Sequence, residues 1–460
     1  MKHGQHGSVV IVGGGITGLT VAHALKTRGY KSVTLLESSS RLGGIIRTIR
    51  EDGFLIENGP DSFFTAKPYA TDLVHELGIE HELIPPASRS FLVYKNGTLC
   101  RVPDGFISMA PTAVAPLLAS NLFSVGGRLR VLLERFQWRS RPTGDESLRS
   151  FFSRRFGSEF SATLAEPLFA GIHAGRGDEL SMQALLPQFL DMEASHGSIT
   201  RAVLARRGTN GPSTGAMFSS LRTGMESLVG RLATSIDNVS VRLNCVATGV
   251  TERNDGQWIV SISDSSALEA DHVVLTTSAH VAGSLLAKVS PAAAEHLSAI
   301  SYTSSSIATL AYPTSCIEHP LDATGFIVPR NAGLRMTACT WSASKWAGRA
   351  PDGVALFRCF FGCDGDDDDV RRSDNELVEL ASQELGQAVG AKGKPIGEWI
   401  HRWPQTMPQY TLGHLKRMNA IGAQLEDSPG IHLAGSSYRG VGIPDCVFQA
   451  CQIAEYITKE

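Results

Sequence analysis

The sequence predicts a mixed α/β (α+β) fold: a Rossmann-like parallel sheet, joined by a strand-rich second domain and a mainly helical subdomain. Three observations predict it. A short β-branched run, Val9-Val10-Ile11-Val12, leads directly into Gly13-Gly14-Gly15-Ile16-Thr17-Gly18. Leu19, Ala22, His23 and Leu25 then recur at helical spacing as far as Arg28-Gly29, and Val33-Thr34-Leu35-Leu36 ends in an acid, Glu37. At 460 residues the chain is too long for one simple core.

The first unit, strand, glycine turn, helix, strand and acid, is the arrangement that binds a dinucleotide. Gly13 permits the tight turn, Gly15 lets backbone approach a pyrophosphate, and Gly18 lets the helix pack on the sheet. Gly14, Ile16 and Thr17 complete the turn, whose free amides and positive helix end face the phosphates. Glu37 stands nineteen residues after Gly18, where it can hydrogen-bond an adenosine ribose. Ser38 follows it, and Arg41-Leu42-Gly43-Gly44 then brings a second glycine doublet. The pattern E-x-x-x-R-x-G-G resembles the flavoprotein amine oxidase superfamily, where the doublet brings more backbone to FAD. The residue after the doublet is usually basic in that superfamily; here it is Ile45.

Next, Ile45 to Arg50 is expected to pair with Phe54 to Glu57 across Asp52-Gly53, a favoured two-residue turn. The corner Gly59-Pro60-Asp61-Ser62 follows. Strands are expected from Val239 to Asn244, through Val246, Thr248 and Val250, at Trp258–Ile262 and at His272–Leu275. Ile431 to Gly435 reads as a strand, Ser436 to Gly442 as a loop, and Pro444 as the start of a helix through Tyr456. The dinucleotide-binding domain is therefore discontinuous, at about 1–80, 215–285 and 400–460. A helical subdomain covers 85–205, with apolar periodicity from Leu148 to Phe169, and a substrate domain covers 290–400. Gly208 to Gly215 is the clearest linker.

Composition narrows the function class. A net charge of −3 gives no general attraction to nucleic acid. The eight cysteines lack zinc-site spacing and read as free thiols. Asp366 to Asp369 lack the calcium-loop pattern and read as a solvated loop, so no metal is expected. The amino terminus carries no secretory pattern and no stretch has the length of a spanning helix, which points to the cytoplasm. Ala110 to Leu133, broken by prolines, glycines and arginines, is either a buried helical subdomain or a peripheral contact with a membrane surface.

Several longer segments carry a closer resemblance. They are E-N-G-P-D-S-F at 57–63, E-P-L-F-A-G-I-H-A-G at 166–175, T-G-F-I-V-P-R at 324–330, R-W-P-Q-T-M-P-Q-Y at 402–410 and G-V-G-I-P-D-C at 440–446. Together they resemble the Gram-positive-type, soluble coproporphyrinogen III and protoporphyrinogen oxidases. The resemblance implies FAD, a porphyrinogen substrate, O2 as acceptor, H2O2 as product, and onward transfer of the porphyrin to the next enzyme of haem biosynthesis. It places the 57–63 segment along the isoalloxazine ring, Trp403 near it, and Gly435, Val441, Gly442 and Ile443 against the cofactor. Val246 matches the valine whose backbone meets adenine, and a plain core valine is the alternative. Lys67 matches a lysine suited to a substrate carboxylate, and a solvated lysine is the alternative.

His173 is a candidate base, against a packed or hydrogen-bonded histidine. Membrane-bound relatives carry an arginine before the strand that is Phe91-Leu92-Val93-Tyr94 here; Ser90 stands in its place, so the propionate partner differs. Other readings are a flavin amine oxidase, whose covalent-flavin cysteine is absent from Ser436-Ser437-Tyr438, and a porphyrin-handling protein that holds FAD structurally.

Overall fold

Val9–Val12 is apolar throughout because it is the middle strand of a parallel sheet covered on both faces. In the computed structural model, which describes residues 7–107, 109–138, 144–209 and 217–459, this strand (β1) starts a five-stranded sheet. It pairs in parallel with Val33–Leu36 (β2) on one side and His272–Leu275 on the other. Ser240–Arg242 and Ile431–Leu433 close the two edges, also in parallel. The helix Ile16–Thr27 (α1) packs beside Ile443–Lys459; Leu19, Leu25, Val447, Ala450 and Ala454 share one apolar cluster. Thr48–Glu51 (β3) and Phe54–Glu57 (β4) form the expected hairpin, with Asp52 and Gly53 at φ 48° and 80°. The ladder begins at Thr48, not Ile45, because the Ile45 carbonyl is pressed against Gly59.

The chain divides into two compact units. The first comprises Met1–Pro85, Ala216–Ser301 and Leu415–Glu460, and the second Pro86–Gly215 and Tyr302–His414. The segment 400–414, expected beside the parallel sheet, belongs to the second unit, because Gly397–Pro408 pairs along Tyr302–Pro313. Ala279–Leu286 and Pro291–Ser298 stay with the first.

The second unit contains a seven-stranded sheet, mostly antiparallel, in which Tyr302–Pro313 lies between Gly397–Pro408 at one edge and Val354–Phe361. The helix Asp374–Val389 covers it, started by a Ser373/Glu376 capping box and ended by Gly390 at φ 67°. Phenylalanines fill the helical part: Phe156 and Phe160 stack at 4.7 Å, with Phe151, Phe152 and Phe189 around them. A buried ion cluster runs through it. Arg155 pairs with Glu134 and with Glu193 at 3.2 Å, and Ser198 Oγ and the Thr200 amide donate to Glu134 at 2.8 and 3.0 Å.

Two expectations are corrected. Asp369 is buried, not solvated: it pairs with Arg335 and Arg372, each at 2.8 Å. Gly208 and Thr209 end the helix Ile199–Thr209, while 210–215 of the expected linker lie outside the described residues. All eight cysteines are free, and among the described residues no group of three or more His, Cys, Asp or Glu could hold a metal.

Candidate functional site

The glycine turn after β1 is shaped differently at each position. Gly13 has φ 112°, and a Cβ there would lie 2.7 Å from Thr276 Oγ1. A Cβ at Gly18 would lie 1.9 Å from the Gly13 carbonyl oxygen, so only glycine lets α1 close on the turn. At Gly15, the residue that opens α1, a Cβ would meet nothing within 4 Å. Open space thus lies over a helix N-terminus whose first turn, Ile16 and Thr17 included, carries no acid. A helix end of this kind favours an anion. Glu37, at the end of β2, accepts from the Gly14 amide at 2.7 Å and from the Ser39 amide at 2.8 Å, with Ser38 Oγ at 3.4 Å.

The second glycine doublet closes against the first. The Gly43 amide donates to the Gly14 carbonyl at 2.8 Å, and a Cβ at Gly44 would sit 3.3 Å from Gly15 Cα. Arg41 builds this loop from within, donating to the carbonyls of Leu42 at 3.0 Å, Ile46 at 3.2 Å and Gly44. Val246 is 43% exposed, which removes the core-valine alternative. Its neighbours are laid along the acid: the Cys245 amide donates to the Glu37 carbonyl and the Asn244 amide to the Ser39 carbonyl, both at 2.9 Å.

Two further loops belong to the same unit. At Gly59 a Cβ would fall 1.9 Å from the Ile45 carbonyl oxygen, which explains the glycine before Pro60. Ser220 Oγ donates to the Asp61 carbonyl at 2.6 Å, and Ser62 Oγ to the Asp61 carboxylate at 2.8 Å. Gly435, at φ 131°, donates its amide to Gln449 at 3.3 Å; a Cβ there would be 3.8 Å from Thr17 Oγ1. The loop through Val441 and Gly442 then enters the helix at Ile443, with Pro444 in its first turn. Sequence reasoning missed Asp445. It stands in that first turn and holds Lys67 at 2.5 Å. The available signal was an acid at a helix start with no partner on its own helix.

The remaining candidates lie in the second unit. Trp403 stands on Gly397–Pro408 opposite Ser305, its ring 4.2 Å from that of His401. His173 ends the helix Glu166–His173 and is buried; burial pulls its pKa down to about 4. Its Nδ1 has no hydrogen-bond partner among the described residues, and its carbonyl accepts from Gln409 at 2.8 Å. Ser90 Oγ lies 3.0 Å from Ser88 Oγ, and its carbonyl accepts from Thr324 Oγ1 at 3.0 Å.

With this geometry established, comparison with known proteins is decisive. The chain matches the family described as flavin containing amine oxidoreductase over residues 16–458. It belongs to that family. As a flavin containing amine oxidoreductase its cofactor is FAD, and the residues fit the group: an open amide cradle at Gly15, an acid at the end of β2 and an exposed Val246 beside it.

Among relatives, it is 34% identical to coproporphyrinogen III oxidase of Bacillus subtilis (strain 168), over 96% of each chain. It is 31% identical to coproporphyrinogen III oxidase of Staphylococcus aureus (strain NCTC 8325 / PS 47), over 98% of this chain and 99% of the other. Protoporphyrinogen oxidase 1, chloroplastic, of Arabidopsis thaliana is 29% identical over 97% and 87%. A crystal structure from Exiguobacterium sp. 255-15, provisionally named protoporphyrinogen oxidase, superimposes with a TM-score of 0.88 at 32% identity, covering 99% of both chains. Putrescine oxidase, at 18% identity and a TM-score of 0.68, shares the fold.

Proposed function

We propose that this protein oxidises coproporphyrinogen III to coproporphyrin III, a six-electron reaction of haem biosynthesis. O2 is the acceptor and H2O2 the product. The observation that carries the reading is full-length similarity to proteins named coproporphyrinogen III oxidase, on a chain that keeps an open cradle for the cofactor. FAD, when bound, supplies the two-electron acceptor that is restored by O2. Three hydrides leave from three methylene bridges; of the three accompanying protons two come from pyrrole N–H groups and one from the fourth methylene bridge by tautomerisation, so three O2 become three H2O2.

The chain's part is to bind and orient. The Gly13–Gly18 turn and the α1 N-terminus hold the diphosphate, Glu37 the ribose, and Val246 the adenine edge. The 59–62 corner and the 435–443 loop border the ring. Lys67 meets a substrate carboxylate. His173, buried with its pKa near 4, is a poor base at neutral pH, so the pyrrole proton passes to water.

The 29% identity to a chloroplastic protoporphyrinogen oxidase favours protoporphyrinogen IX as the second reading. The ratio of kcat/KM for the two porphyrinogens tests the choice. A ratio above ~10 for coproporphyrinogen III is a discrimination of about 1.4 kcal/mol and is the expected result; the reverse preference replaces the substrate.

Among the described residues no helix is long and apolar enough to cross a membrane. The protein acts in the cytoplasm and touches the bilayer from one side, through Val114–Ala119, Val125–Leu133 and the turn after them. Val125, Leu129 and Leu133 share one helix face at 67, 53 and 54% exposure, and Phe136 and Trp138 reach 72 and 85%. Glu134, the acid of this stretch, is buried against Arg155, whereas Arg135 is exposed, so the surface suits anionic lipid.

A further inference from the structure

Lys67 and Asp445 lie 378 positions apart in the chain, yet their side chains meet at 2.5 Å in the first unit. Two features of the contact are unusual for a surface ion pair. The first is its setting on Asp445. A Cβ at Gly440 would lie 2.4 Å from the Asp445 Cγ, and one at Gly442 would lie 3.2 Å from its Oδ2. One carboxylate oxygen thus faces the loop that precedes the C-terminal helix, while the other holds Lys67. The second is a nearby staple: the rings of Tyr69 and Phe448 pack at 4.4 Å, tying the Lys67 segment to the same helix.

A helix N-terminus attracts an acid without any help from a lysine. Helix capping therefore explains Asp445 and leaves the reach of Lys67 unexplained. The Lys67 side chain is 49% exposed and that of Asp445 19%, so the pair is partly open to solvent. A half-exposed pair of this kind shifts an equilibrium by roughly 2- to 5-fold, small enough for an incoming anion to displace it.

We propose that Asp445 is an internal surrogate for a substrate carboxylate. It is a positioning residue that holds Lys67 extended until a propionate takes its place. This rests on the reading of Lys67 as the substrate lysine and adds what that reading lacks, an occupant for Lys67 before substrate arrives. The exchange forms and breaks no covalent bond: the ammonium moves from one carboxylate to another. Because Lys67 is engaged in the free protein, substrate affinity is lowered by the fraction of time the pair is closed. A ligand with several carboxylates suffers least, since its other carboxylates hold it while the exchange occurs.

The test is direct binding, by fluorescence titration of the flavin-loaded protein with coproporphyrin III, the stable oxidised product with four propionates. Asp445→Asn keeps the shape and removes the charge, and Asp445→Ala serves as a second variant; flavin content and Tm report their folding. The expected result is a Kd lowered ~2- to 5-fold in either, with KM lowered and kcat unchanged. Lys67→Met should raise Kd several-fold, and in Lys67→Met/Asp445→Asn the gain from Asp445→Asn should vanish. The gain should also shrink in 0.5 M salt.

If Lys67→Met binds as the wild type does, the substrate role of Lys67 fails and takes the exchange with it. If Lys67→Met weakens binding but neither Asp445 variant tightens it, the exchange alone fails. Tightening that persists in the double variant would mean simple repulsion by Asp445 and would also overturn the exchange.

Discussion

Gly15 and Gly18 are three residues apart, yet they should fail in opposite ways. A side chain at Gly18 meets backbone at 1.9 Å, so Gly18→Ala should lower Tm as well as flavin content. A side chain at Gly15 meets nothing within 4 Å, so Gly15→Val should keep the wild-type Tm of the flavin-free protein and lose most of its FAD affinity. Thermal unfolding of both variants, with and without FAD, separates the two; equal losses of apo-protein Tm would contradict the cradle.

His173 makes a pH prediction. Burial lowers its pKa from 6.5 to about 4, so the folded protein holds it neutral where the unfolded chain takes up a proton. Stability from this group is therefore full above pH 6.5 and lost as pH falls towards 4. At pH 5 the loss is about 2 kcal/mol. Denaturant unfolding at pH 7 and pH 5 should show a smaller drop in His173→Gln, and an identical drop would remove the argument. At this scale the turn glycines Gly13 and Gly18 were legible, because backbone geometry restricts which residue can stand there. Asp445 on Lys67 and Asp369 under Arg335 were not, since each pairing joins distant segments.

Among elements, the β1–α1–β2 unit and the hairpin could be read from sequence because their signals are local: periodicity, a glycine turn and Asp52-Gly53. Residues 400–408 of the strand Gly397–Pro408 lie with the second unit and not with the expected dinucleotide-binding domain. The strand's two prolines and polar composition describe an edge strand, but nothing local names Tyr302–Pro313 as its partner. The helical part hid a buried charge cluster in the same way. Burial raises the Glu134 pKa, but hydrogen bonds from Thr200, Arg155 and Ser198 outweigh it and leave the carboxyl below its ordinary value. Glu134→Gln leaves Arg155 short of a counter-charge and should cost about 3–5 kcal/mol in chemical denaturation. A loss under 1 kcal/mol would show that the cluster contributes little.

Across the whole molecule, the family was legible because its glycine and loop motifs are spread over most of the chain, whereas the division into units was read only in outline. The exposed apolar residues Val125, Leu129 and Trp138 should bring the protein to vesicles containing phosphatidylglycerol in a flotation assay, and Leu129→Glu/Trp138→Glu should leave it in solution at least ~10-fold more often. Equal flotation of the two proteins would show that these residues are not the contact.

If the proposed function holds, FAD bound by this chain takes electrons from a porphyrinogen. Rapid mixing of the FAD-loaded protein with coproporphyrinogen III in the absence of oxygen tests it most directly. The flavin absorbance should bleach within the turnover time and return when O2 is admitted, with porphyrin absorbance appearing in step. A flavin that stays yellow with coproporphyrinogen III and with protoporphyrinogen IX would contradict the account.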